Sequence, residues 1–390
     1  MANGKVHYPS LDTPAVLMDL DKLEANIAEM SRFAKEAGVK LRPHTKIHES
    51  PDIAKMQIGG GACGIEVGTV DRAQCMAEAG IKDILIAHPF YGERKMESFK
   101  GLLIKTGLKL TVLVDMMEQV KSISAVAQSV GKKIPVLLKI NTGGGRFGVL
   151  PGEPALEMAK KLTQVPAIQL TGIYAHESGG KPTPEAIEEL AFQTAKMTTE
   201  TARLLRKEGI PIEHVSVGAS PTFRATCRLL KDKKFSEITE IHPGHCAVGD
   251  IWHVRALGNT REACAATVLT TVMSTTHPDY VVIDAGYKTW GNDLLFSFRE
   301  APDFFWKGKP SFGSVQGRPD LWLGKLSAET ACVYYMDTKM DPKKRIGLGE
   351  RLEIVPNNAT LVIALQDKIY GVRNNRIEKE LPVGGRKAKE

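Results

Sequence analysis

From about residue 11 to residue 250, short apolar runs alternate with longer amphipathic stretches. This period constrains the fold most, because strands separated by helices must cross over and pair in parallel. Candidate strands are 15–20, 40–44, 64–68, 83–88, 110–115, 135–141, 169–176, 214–218 and 237–241. Helical stretches include 21–37, 70–79, 116–130, 153–164 and 184–208. Asp21 is a candidate N-cap with Glu24 as its capping-box partner, and Gly38 and Gly80 read as helix stops. The pattern predicts an α/β chain built on a (β/α)8 TIM barrel, with a doubly wound open sheet as the alternative. Nine candidate strands compete for eight places, so one end strand is expected outside the barrel or miscounted.

After residue 255 the long helices disappear. Runs at 268–274, 280–285, 331–336, 351–355 and 360–365 read as strands, and 368–372 and 376–381 flank a hairpin turn at Arg373-Asn-Asn375. Residues 296–323, rich in Pro, Gly and aromatics, read as a long ordered loop. The expected organisation is a barrel over 11–255 and a C-terminal, mostly antiparallel β domain over 256–382. Residues 1–10 are candidates to join that β domain, and 383–390 form a disordered basic tail.

The 390 residues suffice for a barrel with an addition. The net charge of +7 is spread out, with no basic stripe interleaved with aromatics, so nucleic-acid binding is not expected. A modest positive field still favours small anionic ligands. No run of 18 apolar residues occurs, so no membrane span is expected. Six scattered cysteines, no Cys-x-x-Cys and no secretory leader point to a reducing compartment, the cytoplasm.

In a barrel, working residues sit at the C-terminal ends of strands. Lys46 falls there, in Leu41-Arg-Pro-His-Thr-Lys-Ile-His-Glu49. An unprotonated amine can bond covalently to an aldehyde or carbonyl group, and the flanking His44 and His48, if protonated, would help depress its pKa. The plainer reading is a solvated surface lysine. His88 ends another strand. Arg146 lies in a glycine-rich turn, 141–148, able to present it to an anion or a phenolate. His176 ends the strand 169–176, where it could stack on a ring, relay protons or simply be structural. In Val217-Gly-Ala-Ser-Pro-Thr222, Ser220 is a candidate N-cap and Pro221 a first helical residue. The helix at 222–230 would aim free N–H groups at an anion, or be no more than a capped helix. Glu240 to Cys246 carries a carboxylate, two histidines and a thiol in no recognised zinc spacing. Together these groups suit pyridoxal 5′-phosphate, which has an aldehyde, a phenolate, an aromatic ring and a phosphate.

A series of segments in order carries a family resemblance: Asp12-Thr-Pro-Ala-Val16, Arg42-Pro-His-Thr-Lys46, 141–148, 172–176, 217–222, His242-Pro-Gly244, Val282-Ile-Asp-Ala-Gly286, Leu326-Ser327 and Val355-Pro-Asn357. Over about residues 10–382 the chain resembles the D-threonine aldolase/D-serine dehydratase-like enzymes, pyridoxal-phosphate proteins of fold type III related to alanine racemase. The resemblance implies a barrel plus a β domain, and a homodimer whose partner helps close the site. It implies that Lys46 holds the cofactor as a Schiff base and serves as a base at the α-carbon. Arg146 would approach the phenolic oxygen, His176 would lie against the ring, and Gly218, Ala219 and Ser220 would bind the phosphate. His44 and Cys246 would complete the cofactor pocket.

Departures from the family pattern matter as much. Relatives acting on β-hydroxy D-amino acids carry His-x-Cys or His-x-Asp after Pro-Asn and bind a divalent metal there; here those positions are Asn358 and Thr360. The family's Ser-Glu/Asp-Glu-His-Gly is Ser327-Ala-Glu-Thr-Ala331, keeping Glu329 but with Thr330 at the histidine position. Neither Asn358 nor Thr360 offers imidazole or thiolate, and a divalent metal is not expected there. Without that Lewis acid, dehydration suffers most, because hydroxide is a poor leaving group. The expected activity is retro-aldol cleavage of a β-hydroxy D-amino acid by a pyridoxal-phosphate-dependent lyase, with His176, Glu329 or another group as base. The alternatives are an amino-acid racemase or epimerase, a D-serine dehydratase-like ammonia-lyase, and a non-catalytic cofactor carrier, against which the β domain argues.

Overall fold

A computed structural model describes residues 8–177, 183–293, 305–337, 339 and 344–384. Contacts divide the chain into two compact units, Met1–Asn26 with Ala247–Val383, and Ile27–Cys246 with Gly384–Glu390. The first strand, β1 (Ala15–Asp19), belongs to the former, so it is the ninth candidate strand that lies outside the barrel.

The Ile27–Cys246 unit is an eight-stranded parallel barrel. Its strands are β2 (Lys40–Leu41), β3 (Ile65–Val67), β4 (Asp83–Ile86), β5 (Lys109–Val114), β6 (Ile134–Ile140), β7 (Ile168–His176), β8 (His214–Gly218) and β9 (Glu240–Ile241). The order is β2-β9-β8-β7-β6-β5-β4-β3. The ring closes between β2 and β3, where His44 bridges Glu66 in parallel and Glu66 N–H donates to Pro43 O at 2.9 Å. β2 is shorter than 40–44. Pro43 has no N–H to extend a ladder, and the chain turns instead into a 3-10 turn at Thr45–Ile47. Outer helices bury one face each. Glu93–Leu103, not evident from sequence, buries Met96, Phe99, Leu102 and Leu103 at helical spacing. Burying Phe99 alone contributes about 2–3 kcal/mol. Leu20–Glu36 starts earlier than expected. Asp19 Oδ1 caps it by accepting from Lys22 N–H at 3.1 Å, while Asp21 and Glu24 bond Arg373 instead.

In the other unit the strands are β10 (Ala266–Ser274), β11 (Tyr280–Ile283), β12 (Phe305–Trp306), β13 (Lys309–Pro310), β14 (Gly313–Val315), β15 (Leu321–Leu326), β16 (Ala331–Tyr335), β17 (Arg351–Pro356), β18 (Lys368–Arg373) and β19 (Arg376–Pro382). The main sheet runs β15-β16-β11-β10-β1-β18-β19. All its pairs are antiparallel except β1 with β18. The hairpin turn forms through Asn374 and Asn375, both at positive φ. Two expectations fail here. The run 360–365 is helical, Ala359–Ala364, because Asn358 Oδ1 accepts from Thr360 N–H at 3.1 Å and starts a helix despite the β-branched residues. The expected loop 296–323 carries β12 to β14 and the start of β15 in its described part, and 296–304 lies outside the described residues. So does the tail from 385 onward. Among the described residues no helix is long and apolar enough to cross a membrane.

Candidate active site at the C-terminal ends of the barrel strands

Lys46 sits in the turn that follows β2. His44 caps that turn, its Nδ1 accepting from Lys46 N–H at 3.2 Å, and Thr45 Oγ1 anchors it to Glu66 O at 2.9 Å. Burial, then the nearby Arg146 charge, lowers the Lys46 pKa. The protonated-imidazole expectation is corrected. Burial holds His44 well below its usual value and His48 at about 4, so both are neutral. His48 moreover serves the helix Pro51–Gly59. Its Nδ1 accepts from Ser50 N–H, so its Nε2 donates to Gln57 Oε1 at 3.3 Å.

Around Lys46 lie His88, Arg146, Lys139, His176 and His242, each coupled electrostatically to others of the group. His88 Nδ1 donates to Gly68 O at 2.9 Å. Arg146 is exposed in its glycine turn and lies 5.5 Å from the Phe147 ring centre. His176 ends β7, with its ring 6.1 Å from that of His242 and tilted by 24°. Burial and the neighbouring cations push His176 down to about 3.

At the end of β8, Gly218 has φ +149, and a Cβ there would come within 3.0 Å of His242 N. The capping expectation fails at Ser220. The helix is Phe223–Lys231 with Thr222 at its N-cap, and Ser220 Oγ instead accepts from Gly244 N–H at 3.0 Å and His245 N–H at 2.8 Å. A proline-containing Ser220–Thr222 turn delays the helix, and the demand of the Gly244 turn for an acceptor captures the hydroxyl. Cys246 Sγ donates to Ser220 O at 3.7 Å, and burial pushes its thiol up to about 12, so it stays neutral.

Beneath this rim the barrel interior holds a polar chain of which the sequence reading singled out Glu240 and His242 but not Glu66, Lys139, Tyr174 or Ser216. Lys139 Nζ lies 4.2 Å from the Tyr174 ring centre, and Tyr174 stacks on His242 at 4.1 Å. Tyr174 O–H donates to Glu66 Oε2 at 3.2 Å. Ser216 Oγ lies 2.8 Å from His242 Nδ1 and donates to Glu240 Oε1 at 3.2 Å. Arg42 Nε donates to Glu240 Oε2 at 2.9 Å. Burial lowers Lys139 to about 8 and raises Glu66 well above the carboxylate range. The available signal was Lys139, Tyr174 and Ser216 breaking otherwise apolar strands.

One buried imidazole nitrogen in this cluster, His44 Nε2, has no hydrogen-bond partner among the described residues. Leaving such a group unmatched costs about 1–3 kcal/mol, so it marks a place for a ligand. With an amine of lowered pKa, an exposed arginine, flat neutral rings and a glycine-lined strand end, the residues present fit pyridoxal phosphate.

The remaining predicted positions lie in the other unit. Glu329, in the turn between β15 and β16, is exposed and paired with Lys288. Asn358 spends its amide oxygen as a helix cap and gives its Nδ2–H to Asp293 Oδ2 at 2.9 Å. Among the described residues no group of three or more His, Cys, Asp or Glu is placed to hold a metal ion. Asn358 and Thr360 do not fit the metal that the resemblance brings with it.

Comparison with known proteins agrees with this geometry. The family model for the alanine racemase N-terminal domain matches residues 18–251, and a serine dehydratase domain model matches 265–372. The chain is 32% identical over 359 residues to a D-threo-3-hydroxyaspartate dehydratase from Delftia sp., covering 90% of this chain and 91% of the relative. It is 29% identical over 385 residues to a 3-hydroxy-D-aspartate aldolase from Paracoccus denitrificans, covering 96% and 92%. The solved D-threonine aldolase from Filomicrobium marinum superposes with a TM-score of 0.82 at 28% identity, covering 96% and 95%. The chain therefore belongs to the alanine racemase N-terminal domain family, in the branch where that barrel is followed by a serine dehydratase domain.

Proposed function

We propose that the chain is a pyridoxal-phosphate-dependent lyase that cleaves the Cα–Cβ bond of a β-hydroxy D-amino acid. The observation that carries the reading is the Lys46 amine, lowered in pKa by burial and by Arg146, set among buried neutral imidazoles. Likeness to D-amino-acid aldolases and dehydratases over most of the chain supports the reaction class.

When bound, the cofactor's ring takes up the electron pair released at the α-carbon. The chain's own residues do the rest. Lys46 Nζ, its pKa lowered by burial and by Arg146, can bond to an aldehyde and then carry a proton to and from the α-carbon. Arg146 supplies a cation for the phenolate. The turn after β8 and the N-terminus of Phe223–Lys231 receive the phosphate. His176 and His242 offer flat neutral faces. An imidazole held at about 3 is a poor base at neutral pH, so His176 chiefly orients, and the Lys46 amine, once substrate has displaced it, would take the β-hydroxyl proton and return a proton to the α-carbon. No step is assigned to a metal, because Asn358 is committed to its helix and to Asp293.

The test is a panel of D- and L-β-hydroxy amino acids assayed with and without chelator. Aldehyde plus glycine, from D-substrates and insensitive to chelator, is expected. Ammonia plus a 2-oxo acid would make the chain a dehydratase, inverted substrate would make it a racemase, and chelator sensitivity would overturn the metal-free reading. A homodimer, which rests on the family resemblance, and a cytoplasmic location, which rests on the scattered cysteines, belong to the same proposal. A single-chain mass in sedimentation at all concentrations would overturn the dimer.

A further inference from the structure

Glu177 follows His176 and leaves β7 pointing its carboxyl away from water; the residue is only 2% exposed. Its partners all belong to the turn after β8 and the helix beyond. Ala219 N–H donates to the carboxyl. Thr226 Oγ1 donates to Oε1 at 3.3 Å, and Thr222 Oγ1 contacts Oε2. Glu177 N–H donates to Gly218 O at 3.3 Å, so backbone and side chain grip the same turn.

The surroundings decide the state of this group. Thr222 Oγ1 is within reach of two acceptors, Glu177 Oε2 and, at 3.2 Å, Ala219 O. Its single hydrogen can serve only one of them, so with Ala219 O served by the hydroxyl a proton on the carboxyl would close the other contact. No cation among the described residues faces Glu177. Its own strand contributes His176, neutral, and the helix Phe223–Lys231 contributes Cys227, whose thiol burial pushes up to about 12. An ionised carboxylate there would be unpaired and would sit behind a turn meant for an anion, where the two charges would repel strongly. Burial accordingly raises the Glu177 pKa to about 8.

We propose that Glu177 is a positioning residue for the phosphate turn: as a neutral acid it donates to Thr222 Oγ1, which fixes Ala219 O and so shapes residues 218–222. The inference rests on reading that turn as the phosphate site. It goes further in making cofactor affinity depend on a proton the cofactor never touches.

The experiment compares wild type with Glu177→Gln, Glu177→Ala, Thr222→Ser and Thr222→Val, using two readouts. The first is melting of the cofactor-free protein. Unfolded, the carboxyl ionises near its ordinary value of about 4.3; folded, it keeps its proton to about 8. The folded state thus holds one more proton across that window, and stability falls as pH rises through it, levelling above. Wild type should lose melting temperature relative to Glu177→Gln between about pH 5 and 8; a constant difference would overturn the proposal. The second readout is loading with pyridoxal 5′-phosphate, followed by absorbance. Glu177→Gln, whose amide can donate to Thr222, should match wild type at pH 7, and Glu177→Ala should bind about tenfold more weakly or worse. Above pH 8 the wild-type to Gln affinity ratio should fall by up to tenfold per pH unit. Gln binding as poorly as Ala would show that the ionised form is needed and end the proposal. Thr222→Ser should load normally and Thr222→Val should not; equal loading of both would also contradict it. Failure of wild type to take up the cofactor at all would overturn the cofactor reading, while the melting comparison would still decide the state of Glu177.

Discussion

The mouth of the barrel and the turn at Asn358 are both rich in polar side chains, and they differ in how those side chains are satisfied. At the mouth, His44 Nε2 is buried without a partner among the described residues, and Lys46 is pressed toward its neutral form. At Asn358 the amide oxygen caps a helix and the amide nitrogen serves Asp293. Unmatched buried groups are expensive and persist where a ligand repays them. Matched ones describe a structural joint. On the proposed reading the first region is the site, and the second is a helix cap.

The largest effect that could break this contrast is at Lys46. Lys46→Ala should lower kcat by about 10³-fold or more, measured by aldehyde release. Next comes Gly218→Ala. Its positive φ and the close approach to His242 N make a Cβ strained, at a cost of about 1–3 kcal/mol, which should appear as roughly tenfold or greater weakening of cofactor binding. His242→Phe keeps a ring against Tyr174 but removes one of the two partners of Ser216, leaving Glu240. Calorimetry should find it destabilised by about 1–2 kcal/mol, with looser cofactor binding. The smallest effect sharpens the other half. Asn358→Ala should cost about 1 kcal/mol of stability through the lost cap and leave kcat within about twofold. A collapse of kcat in that variant would restore a chemical role to the turn.

Much of the fold was legible because period decides it. The alternation of apolar runs and amphipathic helices announced the barrel, and Gly38 and Gly80, at positive φ, stop helices where expected. The failures were local contests. Asn358 capped a segment whose β-branched residues read as strand. Pro43 cut β2 short. Asp19 took the cap that Asp21 was expected to supply. At the candidate site, residues at strand ends could be placed by position, and Lys46, Arg146 and His176 do lie near one another. Residues inside the barrel mostly could not: Glu240 stood out as a carboxylate near two histidines, but Glu66, Tyr174 and Ser216 acquire meaning only when β3, β7, β8 and β9 bring them together with it. Sequence spacing carries no trace of that convergence. The neutral state of His44 and His48 was likewise hidden, since it follows from burial that residue order does not specify.

The central claim is that one half-buried amine in the turn after β2 carries the cofactor. Reducing the pyridoxal-phosphate-loaded protein with borohydride and mapping the modified peptide tests it most directly. A single adduct on Lys46 is the predicted result. An adduct on Lys139 or any other lysine, or none at all, would contradict the account.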